Sequence, residues 1–374
     1  MRILLVSHVA DNPHSGSSRV YHLLINGLRE RGHTVRCLHL GDLQLPQGFE
    51  FPARRLLLPQ YASKAASAYL GEGFDVIMAS SGMLYPLFRR LQRTARHPLL
   101  VHHLHGLSLF DRMAIVTETL RGHMSTSLAY KTVTGRLPVF WDEQGARHCD
   151  ITIVQNGRDA DAVEEVSRKP VKIIPLSLHP AIAEAAHGAP AMEMRDPSSL
   201  LWFGSWVERK GAFYLPRAFR KIVERFPEAH LTIGGSGMDR GDVIGGFDES
   251  LRARITVLPR ITIEEHIAEL ARNSVFLFPS LSEGFGFALL EAMAMKMACV
   301  ATNTGLGGDW LCDRDNAMIV PAASSLHLAD AACALLDDGA LRARLARNAR
   351  AVAEKFTVER MLDSYLGVFE EYRK

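Results

Sequence analysis

The sequence has little that would staple or anchor a chain. Its five cysteines, Cys37, Cys149, Cys299, Cys312 and Cys333, are odd in number, scattered and free of any C-x-x-C pair. That pattern argues against a disulfide framework or a zinc site and fits a reducing compartment. No apolar run reaches the roughly 18 residues a membrane-spanning helix needs, and Ile3–Val6 is too short for a signal-peptide core, so a soluble or peripheral cytoplasmic protein is expected. No H-x3–5-H or E-x-x-H pairing with another ligand supports a metal. The first strand-to-helix turn, "SHVADNPHSGSS", lacks the G-x-G-x-x-G fingerprint of a dinucleotide enzyme. Basic residues are too dilute, and aromatics too sparse among them, for a nucleic-acid surface.

What is present is a chain of 374 residues with ordinary globular composition, long enough for about two domains. The net charge of +2 hides an asymmetry: residues 1–150 hold 17 Lys and Arg against 11 Asp and Glu, leaving −4 for the rest. Solvated helix faces explain this, as does a first half that meets an anionic surface or acidic acceptor. "RILLVSH" reads as a buried strand, Arg19–Arg31 as a helix closed by Gly32, and "TVRCLHL" as a second strand. Strands follow at Phe74–Ser80, Pro98–Leu104 and Ile151–Asn156. The alternation lapses around Ala181–Ser199 and restarts with "LLWFGS", "HLTIGG", "ITVLP", "VFLFPS", "MACVAT" and "AMIVP". This grammar predicts an α/β protein with two doubly wound, Rossmann-like parallel-sheet domains, over 1–178 and 179–356. A helix at about 357–374 is expected to cross back to the first domain. In such sheets ligands bind at the strand C-termini, so the active site is expected in a cleft between the two domains.

The most informative stretch is "PSLSEGFGFALLEAMAMK". Its turn sits between a strand and a helix, where free backbone N–H groups favour an anion and Gly284 and Gly286 allow close approach. Glu283 and Glu291 flank that point. In the plainer reading Glu283 caps the helix and Glu291 is a solvated helix residue. In the functional one they accept hydrogen bonds from hydroxyls on either side of a phosphate, which describes a nucleotide sugar. Arg209 and Lys210 in "WVERKG", the close-approach loop "IGGSG" with Gly235, and Arg260 in "LPRI" occupy matching strand-to-loop contexts.

Together with "HLHG" and "DNAMIVP", these residues resemble the retaining glycosyltransferase family 4, with its two-domain GT-B fold. The resemblance covers most of the chain and is strongest over about 200–321. It implies that Glu283 reads donor-sugar hydroxyls, that Glu291 holds the ribose, and that the backbone of Gly284, Phe285, Gly286 and Phe287 contacts sugar and phosphate. It implies further that Lys210 neutralises the diphosphate and that His105 stands beside the reacting sugar. The turn His14–Ser18, with Ser15-Gly16 for the usual Gly-Gly, matches the loop near the diphosphate. The family arginine five residues before Lys210 is here Ser205, so either Arg209 substitutes or the phosphate is held more weakly. The implied activity is a hexosyltransferase of the EC 2.4 class, with retention of configuration. It would use a UDP- or GDP-sugar and a glycan or lipid-linked acceptor, in glycan, polysaccharide or glycolipid biosynthesis, without metal or other cofactor.

Rival readings are an epimerase of the same fold, a non-catalytic nucleotide-sugar-binding subunit, and a metal-dependent transferase using Asp159-Ala160-Asp161 or Asp313-Arg314-Asp315. The first acidic triplet is more simply a helix start. Leu107–Trp141, rich in large apolar and basic residues, reads either as packed helices or as a docking surface for a membrane leaflet or lipid-linked glycan. The second option would place the protein peripherally at the inner membrane face.

Overall fold

The structure, a computed structural model, describes residues 1–11, 16–45, 53–127 and 130–373. The chain divides into two compact units, Met1–Leu176 with Val358–Lys374, and Ser177–Thr357.

The first unit is a six-stranded parallel sheet of β1 (Arg2–Val6), β2 (Thr34–Leu38), β3 (Val76–Ser80), β4 (Leu99–His103), β5 (Ile151–Val154) and β6 (Val171–Ile173), in the order β2-β1-β3-β4-β5-β6. Helices cover the sheet, so its central strands are buried from end to end, as their nearly unbroken apolar runs require. The sixth strand was not legible in the sequence. It is a three-residue edge, half exposed, with no apolar run to announce it. The C-terminal helix Val358–Tyr372 belongs to this unit and packs on the first helix, Gly16–Glu30. Gly27 admits it: a Cβ there would lie 2.2 Å from a Leu362 methyl.

The second unit is built alike from β7 (Ser199–Phe203), β8 (His230–Gly234), β9 (Ile255–Leu258), β10 (Val275–Phe278), β11 (Ala298–Thr302) and β12 (Met318–Val320), all parallel. The order is β12-β11-β10-β7-β8-β9. Helix Leu215–Arg225 buries Leu215, Ala218, Phe219 and Ile222, one stripe at helical spacing, onto a core that includes Trp202 and Ile233. A reciprocal capping box starts helix Ile263–Arg272: Thr262 Oγ1 accepts from Glu265 N at 3.2 Å and Glu265 Oε2 from Thr262 N at 2.7 Å. Segment 181–199, read above as a lapse in pattern, instead holds helical turns, including Pro180–Ala185 and Met192–Met194. Arg195 fixes it, its buried guanidinium donating to the carbonyls of Leu270 and Asn273, both at 2.6 Å.

Candidate active site

In the second sheet the winding reverses between β7 and β10, and at such a point the loops leaving two neighbouring strands diverge and leave room for a ligand. Here those loops are laced together. The amides of Leu281 and Ser282 both donate to the Arg209 carbonyl, at 2.7 and 3.3 Å. Gly211, at φ +69°, lies so close to the other loop that a Cβ would sit 2.0 Å from the Pro279 carbonyl oxygen. Only glycine fits there.

The lacing sets Lys210 against Glu283. Lys210 Nζ donates to Glu283 Oε1 at 2.6 Å, Ser280 Oγ donates to the same oxygen at 2.8 Å, and an Arg209 guanidinium nitrogen stands 3.9 Å from Oε2. The Glu283 side chain is only 5% exposed. Burial opposes its ionisation, but Lys210, Arg209 and the hydrogen bonds outweigh burial and hold the carboxyl below its usual range. Sequence reasoning had placed Lys210 and Glu283 on different parts of a ligand; here they face each other directly. It missed Ser280, whose only signal was a hydroxyl at a strand end three residues before the glutamate.

Beyond Glu283 the chain turns through Gly286 at φ +100°, which is the N-cap of helix Phe287–Ala294. The N-cap is a glycine and so has no side chain to offer the first amides of the helix. The turn is braced from behind, because the Leu306 amide donates to the Phe285 carbonyl and a Cβ on Gly305 would lie 2.6 Å from the same oxygen. Glu291 is not a solvated helix residue. It is 4% exposed, with His266 Nε2 3.5 Å from its carboxylate. The His266 ring in turn lies 3.8 Å, centroid to centroid, from Phe203 at the end of β7. The Phe203 ring also abuts Gly235, where a Cβ would come within 2.9 Å of it. One packed line therefore joins Gly235, Phe203, His266 and Glu291, and His266 carried no local signal in the sequence. Ser205 and Arg260 are exposed on the loops after β7 and β9. Of the acidic triplets, Asp159 lies in the first turn of a helix capped by Asn156, and Asp313 accepts the Ile319 amide at 2.8 Å. Among the described residues no three His, Cys, Asp or Glu side chains form a metal-ligand set.

In the first unit the reversal falls between β1 and β3. His8, just past β1, accepts or donates through Nδ1 to Ser80 Oγ at the end of β3, 2.7 Å away. His105, just past β4, packs its ring against those of His103 and Tyr21, with centroids 4.3 and 5.3 Å apart. Its Nε2 is buried and has no hydrogen-bond partner among the described residues. Burial, reinforced by His103 and His8, holds its pKa well below the usual imidazole value, so the ring is neutral. Gly16 opens helix Gly16–Glu30. His14 and Ser15 lie outside the described residues.

The second unit thus brings Lys210, Arg209, Ser280 and Glu283 together at the β7/β10 reversal, just before helix Phe287–Ala294, which carries the buried Glu291. Residues 14–180 match the family described as Glycosyltransferase Family 4, and residues 197–338 match Glycosyl transferases group 1. The chain belongs to glycosyltransferase family 4. This family 4 enzyme is 24% identical over 387 residues to the alpha-D-kanosaminyltransferase of Streptomyces kanamyceticus, covering 94% of this chain and 99% of that one. It is 28% identical over 182 residues to the phosphatidyl-myo-inositol mannosyltransferase of Mycobacterium tuberculosis, about half of either chain (47% and 48%). Its fold matches sucrose-phosphate synthase from Thermosynechococcus elongatus with a TM-score of 0.78 at 19% identity over 99% of both chains. WaaG, a glycosyltransferase of lipopolysaccharide biosynthesis, matches with a TM-score of 0.72 at 14% identity, again over 99% of both. The protein is a glycosyltransferase of the GT-B fold.

Proposed function

We propose that this glycosyltransferase moves a hexose from a UDP- or GDP-sugar to an acceptor hydroxyl with retention of configuration, in glycan, polysaccharide or glycolipid assembly. The observation that carries the reading is the convergence of Lys210, Arg209, Ser280 and Glu283 at the β7/β10 reversal, beside the start of helix Phe287–Ala294. When a diphosphate leaves an anomeric carbon, negative charge grows on its oxygens, and fixed cations and amides aimed there lower the barrier. Lys210, Arg209 and the helix N-terminus would supply that charge, so no divalent metal is required. Glu283 would accept sugar hydroxyls, Glu291 would hold the ribose, and His105 would present its Nε2 to the reacting sugar.

The acceptor is proposed to be lipid-linked, met by the first unit at the inner membrane face. Met113, Leu120, Val133 and Phe140 are large apolar side chains exposed within one stretch of the acceptor-side unit, and Arg121 and Arg136 are exposed among them. Among the described residues no helix is long and apolar enough to cross a membrane.

A panel of UDP- and GDP-sugars screened by thermal shift identifies the donor, since a ligand of the native state raises its stability. Transfer is then assayed with and without EDTA. Activity that EDTA abolishes and Mg²⁺ or Mn²⁺ restores would overturn the metal-free reading. Isomerised nucleotide sugar without transfer product would establish an epimerase instead.

A further inference from the structure

Behind His105 stands a second imidazole that the proposed reaction does not use. His103, the last residue of β4, is fully buried and held at both nitrogens. The Tyr365 hydroxyl lies 2.7 Å from Nε2, the Gln155 amide nitrogen 3.1 Å from the same atom, and the Tyr21 hydroxyl 3.4 Å from Nδ1. With the Gln155 amide nitrogen turned toward it, Nε2 is the acceptor and Nδ1 the protonated atom, directed at Tyr21. Burial, with His102 and His8 adding to it, pushes the His103 pKa down to about 3, and burial raises those of Tyr21 and Tyr365. All three groups are neutral. The His103 and Tyr21 rings then form two walls against the His105 ring, at 63° and 66° to it.

We propose that His103, Tyr21 and Tyr365 are positioning residues that fix the His105 ring so that its unpartnered Nε2 is presented to the sugar substrate, which makes the C-terminal helix Val358–Tyr372 part of the catalytic apparatus. The inference rests on the reading of His105 as substrate-facing. A packed core would be served as well by phenylalanine at 365, where the ring already packs edge-on to His103. The hydroxyl adds a hydrogen bond that selects one ring orientation of a buried imidazole, and a 4.3 Å ring contact passes that selection to His105.

The test is Tyr365→Phe, which keeps the ring and removes the hydroxyl. In protein labelled with ¹⁵N-histidine, the wild type should show His103 as the Nδ1–H tautomer and His105 as a neutral ring in one environment. In Tyr365→Phe the His105 ring signals should shift or broaden. Unchanged His105 signals overturn the inference, whatever happens to the melting temperature. Nucleotide release from the donor found by thermal shift supplies the second readout. Tyr365→Phe should lower kcat about tenfold with KM nearly unchanged. In a His105→Ala background the same change should cost no more than about twofold, because the two residues act as one unit. Equal loss in both backgrounds also overturns it. If His105→Ala leaves transfer intact while Tyr365→Phe still moves the His105 signals, it is the reading of His105 that fails and not the coupling.

Discussion

The Lys210–Glu283 pair makes a prediction about ligand binding that the family resemblance alone does not. Any diphosphate that uses Lys210 must share or displace a carboxylate already 2.6 Å from its ammonium. At that distance and an effective dielectric of 20 the gross Coulomb attraction is about 6 kcal/mol, most of it offset by the desolvation of two side chains that are 5% and 19% exposed. Glu283 is therefore an internal competitor for the cation, and Glu283→Gln removes the competing charge while the amide can still accept from Ser280. Bare UDP or GDP should then bind several-fold tighter, a gain of roughly 1 kcal/mol, even as transfer falls because the sugar has lost its charged hydrogen-bond acceptor. Lys210→Ala should do the opposite, weakening nucleotide binding and leaving Glu283 buried beside Arg209 alone, 3.9 Å away.

Titration calorimetry of wild type, both single variants and the double variant measures this directly. The double variant should fall close to Lys210→Ala, since only Arg209, 3.9 Å from the carboxylate, is left for the competitor to hold. If Glu283→Gln weakens bare nucleotide as much as Lys210→Ala does, the competition does not exist and the diphosphate has been misplaced. A stability signature accompanies it. The carboxyl is held below its unfolded value of 4.5, so its contribution is intact above that pH and disappears as pH falls through the folded pKa. The melting-temperature difference between wild type and Glu283→Gln should therefore narrow under acid.

Three further outcomes are expected. Arg209→Ala should weaken nucleotide binding while Ser205→Arg is neutral or harmful, because Arg209 already faces the Glu283 carboxylate whereas Ser205 is exposed; calorimetry in which Ser205→Arg alone improves affinity would contradict this. Glu291→Gln should weaken bare nucleotide by about tenfold or more through a lost charge-assisted bond, the opposite sign to Glu283→Gln in the same titration. Asp142, whose pKa burial pushes up to about 7 from 3.8, costs stability as pH rises between those values, so Asp142→Asn should raise the melting temperature at pH 8 and not at pH 4, provided the amide oxygen still accepts from Ser108 N as Oδ2 does at 3.0 Å.

How much of this was legible in the sequence depended on whether the information was local. Strands buried on both faces announce themselves, because a run such as "VFLF" has no other stable place, and the second unit's half-exposed edge β9 was legible too from its alternation of buried and exposed residues. β6 could not, since an edge of three half-exposed residues buries too little to leave a pattern. At the site, Glu283, Gly286 and Glu291 stood out because one strand–turn–helix carries them, and the turn needs glycine at φ +100° for reasons visible in its own composition. The partners of these residues arrive from far along the chain. Lys210 is 73 positions from Glu283, and Tyr365 is 262 from His103. In sequence the motif around Lys210 marks it as a cation for a phosphate but says nothing of Glu283 as its partner, and Tyr365 is one more tyrosine on the apolar side of a helix. Distance in the chain also explains why a charged pair could be mistaken for two separate binding groups. The motif fixes what each side chain is able to bind, whereas only the laced loops at the β7/β10 reversal determine that Lys210 and Glu283 bind each other.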